Sequence, residues 1–140
     1  MSVKVFTVEE ANRILPVVEA GVRFIRERAV EIVQTQDRLS VLSLLGGKHP
    51  QSPENKEFLE QRTHLEELVA AYNARLEELD RVGCVIKDLN NGLVDFYCRS
   101  RDRLVFLCWR MGEKKIEFWH EIEGGFSGRR PIGEMEGQDV

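Results

Sequence analysis

The side chains with the widest chemical range crowd the segment WRMGEKKIEFWHEIEGGFSGRRP, Trp109 to Pro131. If Ile116 to Ile122 is a strand, alternation puts Ile116, Phe118 and His120 on one face and Glu117, Trp119 and Glu121 on the other. His120 then follows apolar neighbours onto a covered face. An imidazole there serves as a metal ligand or as an acid/base, since its charge changes near neutral pH. Asp95, set between Val94 and Phe96, is a carboxylate in an apolar run and needs a partner if it is buried. Glu9 and Asn12 open the first helical pattern. A pocket walled by Glu9, Asn12, Asp95, His120 and Glu121 would offer the mixed oxygen and nitrogen ligands that suit Zn, Mn or Fe, with positions open to a substrate. No H-x-x-x-H or H-E-x-x-H spacing demands that convergence, and each residue has a plainer use. His120 fits a core histidine with one hydrogen bond, Glu9 favours a helix N-terminus, Asn12 can bond backbone near Pro16, and Asp95 and Glu121 can pair with Arg110 or Arg129.

Two further groups bear on binding. In Gly124 to Pro131, glycines let backbone amides approach an anion, and Arg129 offers a bidentate fork to a phosphate or carboxylate. The run lacks the phosphate-loop pattern, and its plainer use is as a closing loop whose arginines meet surface carboxylates. Trp109, with Trp119, Phe106, Phe118 and Phe126, would make a stacking platform for a base, flanked by Arg99, Arg101, Arg103 and Arg110. Interleaved acids and a net charge of -4 argue against nucleic acid and for core packing of these rings. Cys84, Cys98 and Cys108 cannot all pair within one chain and show no zinc spacing, so they read as reduced core thiols.

The elements that must position these groups follow from periodicity. Thr7 and Glu10 form a T-x-x-E capping box. Val18, Val22, Ile25, Ala29, Ile32 and Leu39 then step by three and four, with Gln36 as a polar interruption, until Gly46-Gly47. A continuous helix from Thr7 to Leu45 would span roughly 58 Å, and Pro16 predicts a kink that folds the first turns across the sheet. Phe58, Leu65, Leu68, Tyr72, Leu76 and Leu79 repeat the pattern up to Gly83. Together they predict a coiled-coil-like antiparallel hairpin over 7–82 with a loop at 46–53. CVIKDL, LVDFYC, LVFLCWR and IEFWHEI predict a four-stranded antiparallel meander over 84–122, its first turn an Asn91-Gly92 type I′ hairpin. Val3 to Phe6 is a candidate edge strand, and 123–140 reads as a Gly-rich loop and frayed tail. The fold class is α+β in a single domain, 1–140.

FTVEEANRILP (Phe6 to Pro16), IKDLNNGLVDF (Ile86 to Phe96), LCWRMGE (Leu107 to Glu113) and FWHEIEGGFSGRRPI (Phe118 to Ile132) appear in the order and with the content of one family. The chain resembles the bacterial family catalogued as domain of unknown function 2203, over nearly its whole length. That resemblance implies no reaction, substrate or partner.

The first functional expectation is therefore an interaction or scaffolding module, a homodimer joined through a helical stripe that neither half of the chain covers. The second is a small metal-binding protein or metal-dependent enzyme using His120, Asp95, Glu9 and Glu121. The third is a regulator that takes a small anionic ligand at Arg129, with Asn12 and Trp109 as further contacts. With no signal peptide and no apolar run of membrane-spanning length, the expected location is the cytoplasm and no membrane partner is expected.

Overall fold

The structure, a computed structural model, describes residues 3–135. Its elements are α1 (Val8–Leu44), α2 (Asn55–Val82), β1 (Val85–Asp88), β2 (Leu93–Ser100), β3 (Arg103–Arg110), β4 (Phe118–Glu121) and β5 (Arg130–Pro131), with 3-10 turns at Phe126–Gly128 and Ile132–Glu134. Two helices followed by an antiparallel sheet give the expected α+β order. The sheet has five strands rather than four, in the order β1-β2-β3-β4-β5. The fifth comes from the segment read as loop: Arg130 and Pro131 pair with Trp119 and Phe118. Two residues carry no periodicity to read, and a proline is tolerated because β5 is an edge strand. The tail beyond residue 135 lies outside the described residues. Among those described, no helix is long and apolar enough to cross a membrane.

The chain divides into two compact units, Met1–Val22 with Glu78–Val140, and Arg23–Glu77. In the second unit α1 and α2 form the hairpin. Gly46, at φ +83, ends α1: Gly47 N–H donates to the Leu42 carbonyl and Gly46 N–H to that of Ser43, so a left-handed residue satisfies the last carbonyls. Ile25, Leu42, Phe58 and Leu68 are buried along the seam. The polar seam position is Thr35, whose hydroxyl donates to the Glu31 carbonyl at 2.8 Å, while Gln36 is exposed. Arg38 clasps Glu57 through two bonds of 2.7 Å, and the Arg28 and Arg75 guanidiniums lie 4.7 and 4.3 Å from the Phe24 ring. Val30, Val33, Val41, Leu44 and Leu45 remain exposed.

In the unit that carries the sheet, the capping box forms: Thr7 N–H donates to Glu10 at 2.9 Å and Glu10 N–H to the Thr7 hydroxyl at 3.0 Å. α1 runs on through Pro16 as one helix. Gly21 allows Leu79 to approach so closely that an added Cβ would lie 2.8 Å from its methyl carbon. Val3 to Phe6 forms no strand; Phe6 N–H makes a single 2.7 Å bond to the Tyr97 carbonyl and its ring meets Phe96 edge-on at 5.3 Å.

The β1–β2 turn also departs from expectation. Asp88 pairs with Leu93 across a four-residue connection in which Gly92, at φ +66, has positive φ and Asn91 does not. The Asp88 carboxylate accepts from Asn91 N–H and Nδ2, which stabilises a turn that a type I′ geometry would have made without it.

β2 and β3 are buried on both faces, which explains why LVDFYC and LVFLCWR show no clean alternation. Val94, Phe96, Cys98, Val105, Leu107, Trp109 and Trp119 share one face and are buried. Asp95, Tyr97, Phe106, Cys108, Phe118 and His120 share the other.

Candidate functional site

Strand register creates the site. The tight β2–β3 turn pairs Ser100 with Arg103, which sets Asp95 opposite Cys108 five rungs farther along. Cys108 pairs in turn with Phe118 on β4, and His120, two residues on, reaches back along the diagonal. His120 Nε2 lies 3.0 Å from Asp95 Oδ2, and both side chains are 2% exposed. The ligand atoms of Asp95, Cys108 and His120 all fall within 4.8 Å of one another.

The hydrogen bonds fix the protons. His120 Nδ1 is 2.7 Å from the Glu121 carbonyl oxygen, which only accepts, so Nδ1 carries a hydrogen by assignment from the network. Nε2 faces the Asp95 carboxylate, and the ring also bonds Cys108. Burial disfavours charge on the imidazole, but the bonds to Asp95, Cys108 and the Glu121 carbonyl, with the Asp95 charge, outweigh it and push its pKa up to about 10. The protonated form of His120 is therefore the one its partners favour. Phe106, 5.5 Å from the imidazole, and Tyr97, 4.5 Å from Phe106, continue the same face.

The cluster borders a cavity of about 110 Å³, whose other walls include Lys87, Leu93, Ile122, Gly125 and Phe126. Arg129 holds the Gly-rich segment over it. Its guanidinium donates to the Glu113 carboxylate at 2.7 Å and to the Cys108 carbonyl at 3.2 Å, and packs 4.1 and 4.6 Å from the Phe118 and Phe126 rings. Glu113 in turn accepts Arg110 N–H at 2.8 Å and, through its carbonyl, Trp109 Nε1–H at 2.8 Å.

Of the residues singled out by sequence, His120 and Asp95 meet. Glu9 is exposed and pairs with Arg13 at 3.0 Å, and Glu121 pairs with Arg103 on the opposite face from the imidazole. Asn12 spends both ends of its amide on backbone, donating to the Val8 carbonyl and accepting Ile116 N–H at 2.7 Å. Trp109 is a fully buried core residue. Cys108 has no histidine near it in sequence and reads as an ordinary core thiol; the signal for its role is the two-residue turn at Arg101-Asp102, which determines every β2–β3 partner. Cys84, by contrast, joins no such cluster among the described residues, and burial, with the Asp80 charge, pushes its thiol up to about 11.

The spacing is not that of a nucleophilic triad, in which thiol and carboxylate occupy opposite ring nitrogens. Here a carbonyl holds Nδ1 and the carboxylate holds Nε2. Three donor groups instead converge beside one cavity, as ligands do.

No curated protein and no solved structure matches the chain. The model of a family described as an uncharacterized conserved protein, DUF2203, matches residues 4–132. The chain belongs to the DUF2203 family.

Proposed function

We propose that this protein binds a divalent transition metal through His120 Nε2, an Asp95 oxygen and Cys108 Sγ, with a fourth position open to the cavity. The observation that carries the reading is the convergence of three buried donors of different chemistry. In a tetrahedral site with bonds of about 2.0–2.1 Å, nitrogen and oxygen ligands sit about 3.3 Å apart. The 3.0 Å separation of Nε2 and Oδ2 needs to open by only about 0.3 Å once a cation replaces the shared proton. The Nδ1–H bond to the Glu121 carbonyl is the outer-shell contact that orients a ligating histidine. Cys108 takes the place that the sequence reading gave to Glu9 and Glu121, and its thiolate favours Zn or Fe over Mn. An open position supports Lewis-acid chemistry on a small ligand. A reducing compartment such as the cytoplasm belongs to this reading, because Cys108 must stay a thiol. Elemental analysis of protein purified without added metal tests it. The expected result is about one Zn or Fe per chain, lost in His120→Ala; no metal, with no thermal shift on adding Zn, Mn or Fe, refutes it.

A second reading, self-association, has its own support. Val30, Val33, Val41 and Leu44 are exposed on α1 and fall at helical spacing on one stripe, with Leu45 exposed just beyond its end. The unit Arg23–Glu77 buries only Ile25, Leu42, Phe58 and Leu68 among its large apolar side chains. A second copy laid on that stripe would turn two helices into a four-helix core, which makes the homodimer the natural occupant. Sedimentation equilibrium is expected to give a dimer at micromolar concentration; a monomer throughout contradicts it.

A further inference from the structure

The cavity beside His120 limits what can occupy a fourth metal position. Its volume is about 110 Å³. A water takes up about 30 Å³ in the liquid, so there is room for about three or four water-sized groups. That is well short of the roughly 300–1,000 Å³ that encloses a drug-sized ligand or cofactor. Besides the three donors, the walls are Lys87, Leu93, Ile122, Gly125 and Phe126. Ile122 and Phe126 are 42% and 39% exposed, large apolar side chains at a rim rather than in the core. They suit a short hydrocarbon chain, and Lys87 is the cation among these walls.

Lys87 owes its place to an irregularity in the sheet. Val85 pairs with Asp95 and Ile86 with Val94, but it is Asp88 that pairs with Leu93. Lys87 is therefore the extra residue of a β-bulge, a device that re-aims a side chain beside a site. Its ammonium lies 4.4 Å from the centre of the Phe106 ring, which stands 5.5 Å from the imidazole. No carboxylate among the described residues forms an ion pair with it.

Charge decides the sign of the ligand. A divalent ion held by the Asp95 carboxylate, the Cys108 thiolate and a neutral imidazole makes a site of zero net charge. A monoanion at the fourth position adds one negative charge, which one ammonium at the wall offsets. A neutral ligand leaves Lys87 unused, and a dianion leaves a charge uncompensated.

We propose that the fourth position takes the carboxylate of a small organic acid, its second oxygen accepting from the Lys87 ammonium and its short apolar chain lying against Leu93, Ile122 and Phe126. This assignment rests on the metal reading above and adds the class of ligand to it. The anion contact expected at Arg129 thus passes to Lys87, since Arg129 is committed to Glu113 and the Cys108 carbonyl.

Chelator-treated protein given one equivalent of Co²⁺ separates the two claims. Its visible bands report the coordination of the ion, so the spectrum before any acid is added tests the metal site and its change on titration tests the ligand. Acetate at constant ionic strength should shift the bands saturably. Acetamide, similar in size but neutral, should not, and orthophosphate should bind more weakly than acetate. Lys87→Met should weaken acetate binding about tenfold or more, the loss of one charge-assisted contact. Lys114→Met, at an exposed lysine beside a different cavity, should leave it unchanged. Cobalt bands that acetate does not move, that acetamide moves equally or that orthophosphate saturates at lower concentration overturn the carboxylate proposal and leave the metal site standing. So does an acetate response that survives Lys87→Met or falls equally in Lys114→Met. Absence of the bands overturns both.

Discussion

Asp95→Asn in chelator-treated protein isolates the buried ion pair. The substitution keeps the shape and removes the charge that holds His120 protonated. Both partners are 2% exposed, so solvent screens neither, and leaving a buried charge without its partner costs about 3–5 kcal/mol. A chain of 140 residues unfolds with an entropy of about 0.3 kcal/mol/K, so the melting temperature should fall by about 10–17 °C. The loss must also depend on pH. The folded pKa of His120, about 10, lies above its ordinary 6.5. Stability from the pair is therefore complete below about pH 6.5 and disappears as pH rises through about 10. The gap between wild type and Asp95→Asn should be widest near pH 6 and should close toward pH 10. Urea unfolding at several pH values measures it, with Asp102→Asn at an exposed turn as control. In the double variant with His120→Gln, the costs should sum to less than the two single losses. A loss under about 1 kcal/mol that is flat with pH would refute the pairing on which the site is built.

Other outcomes follow from single contacts. Gly46→Ala should cost about 1 kcal/mol, because a β-carbon is placed at φ +83. Gly47→Ala should cost more by thermal unfolding, since its Cβ would lie 2.7 Å from the Leu42 carbonyl oxygen. Arg129→Ala removes the bonds to Glu113 and the Cys108 carbonyl; a loss of about 1–3 kcal/mol and faster protease cleavage between Gly124 and Gly128 are expected. Val33→Glu with Val41→Glu places two charges on the exposed α1 stripe and should shift sedimentation from dimer to monomer without lowering helix content by circular dichroism.

The helices were legible because their signals are local. Thr7 and Glu10 cap each other within one turn, and Gly46 stops α1 through its own backbone angle. The strands β1 to β4 were visible as branched and aromatic runs, whereas β5 depends wholly on its neighbour β4. The site divides the same way. His120 and Asp95 stood out as polar side chains in apolar runs, which burial makes informative. Cys108 did not, because a thiol among apolar residues is ordinary until register sets it opposite Asp95. The drawing of Glu9 and Asn12 into the pocket rested on Pro16 folding the first turns toward His120. In the structure Phe6 meets Phe96, and Asn12 binds Ile116 N–H.

The metal reading is tested most directly by adding Co²⁺ to chelator-treated protein and recording the absorption spectrum. One equivalent bound through thiolate, imidazole and carboxylate should give the intense visible bands of a four-coordinate ion and a near-ultraviolet thiolate-to-cobalt transition. Cys108→Ser should abolish the near-ultraviolet transition while His120→Ala abolishes binding. Weak bands of a hexahydrated ion, unchanged by either substitution, would contradict the account and leave Asp95, Cys108 and His120 as a buried ion pair beside a thiol.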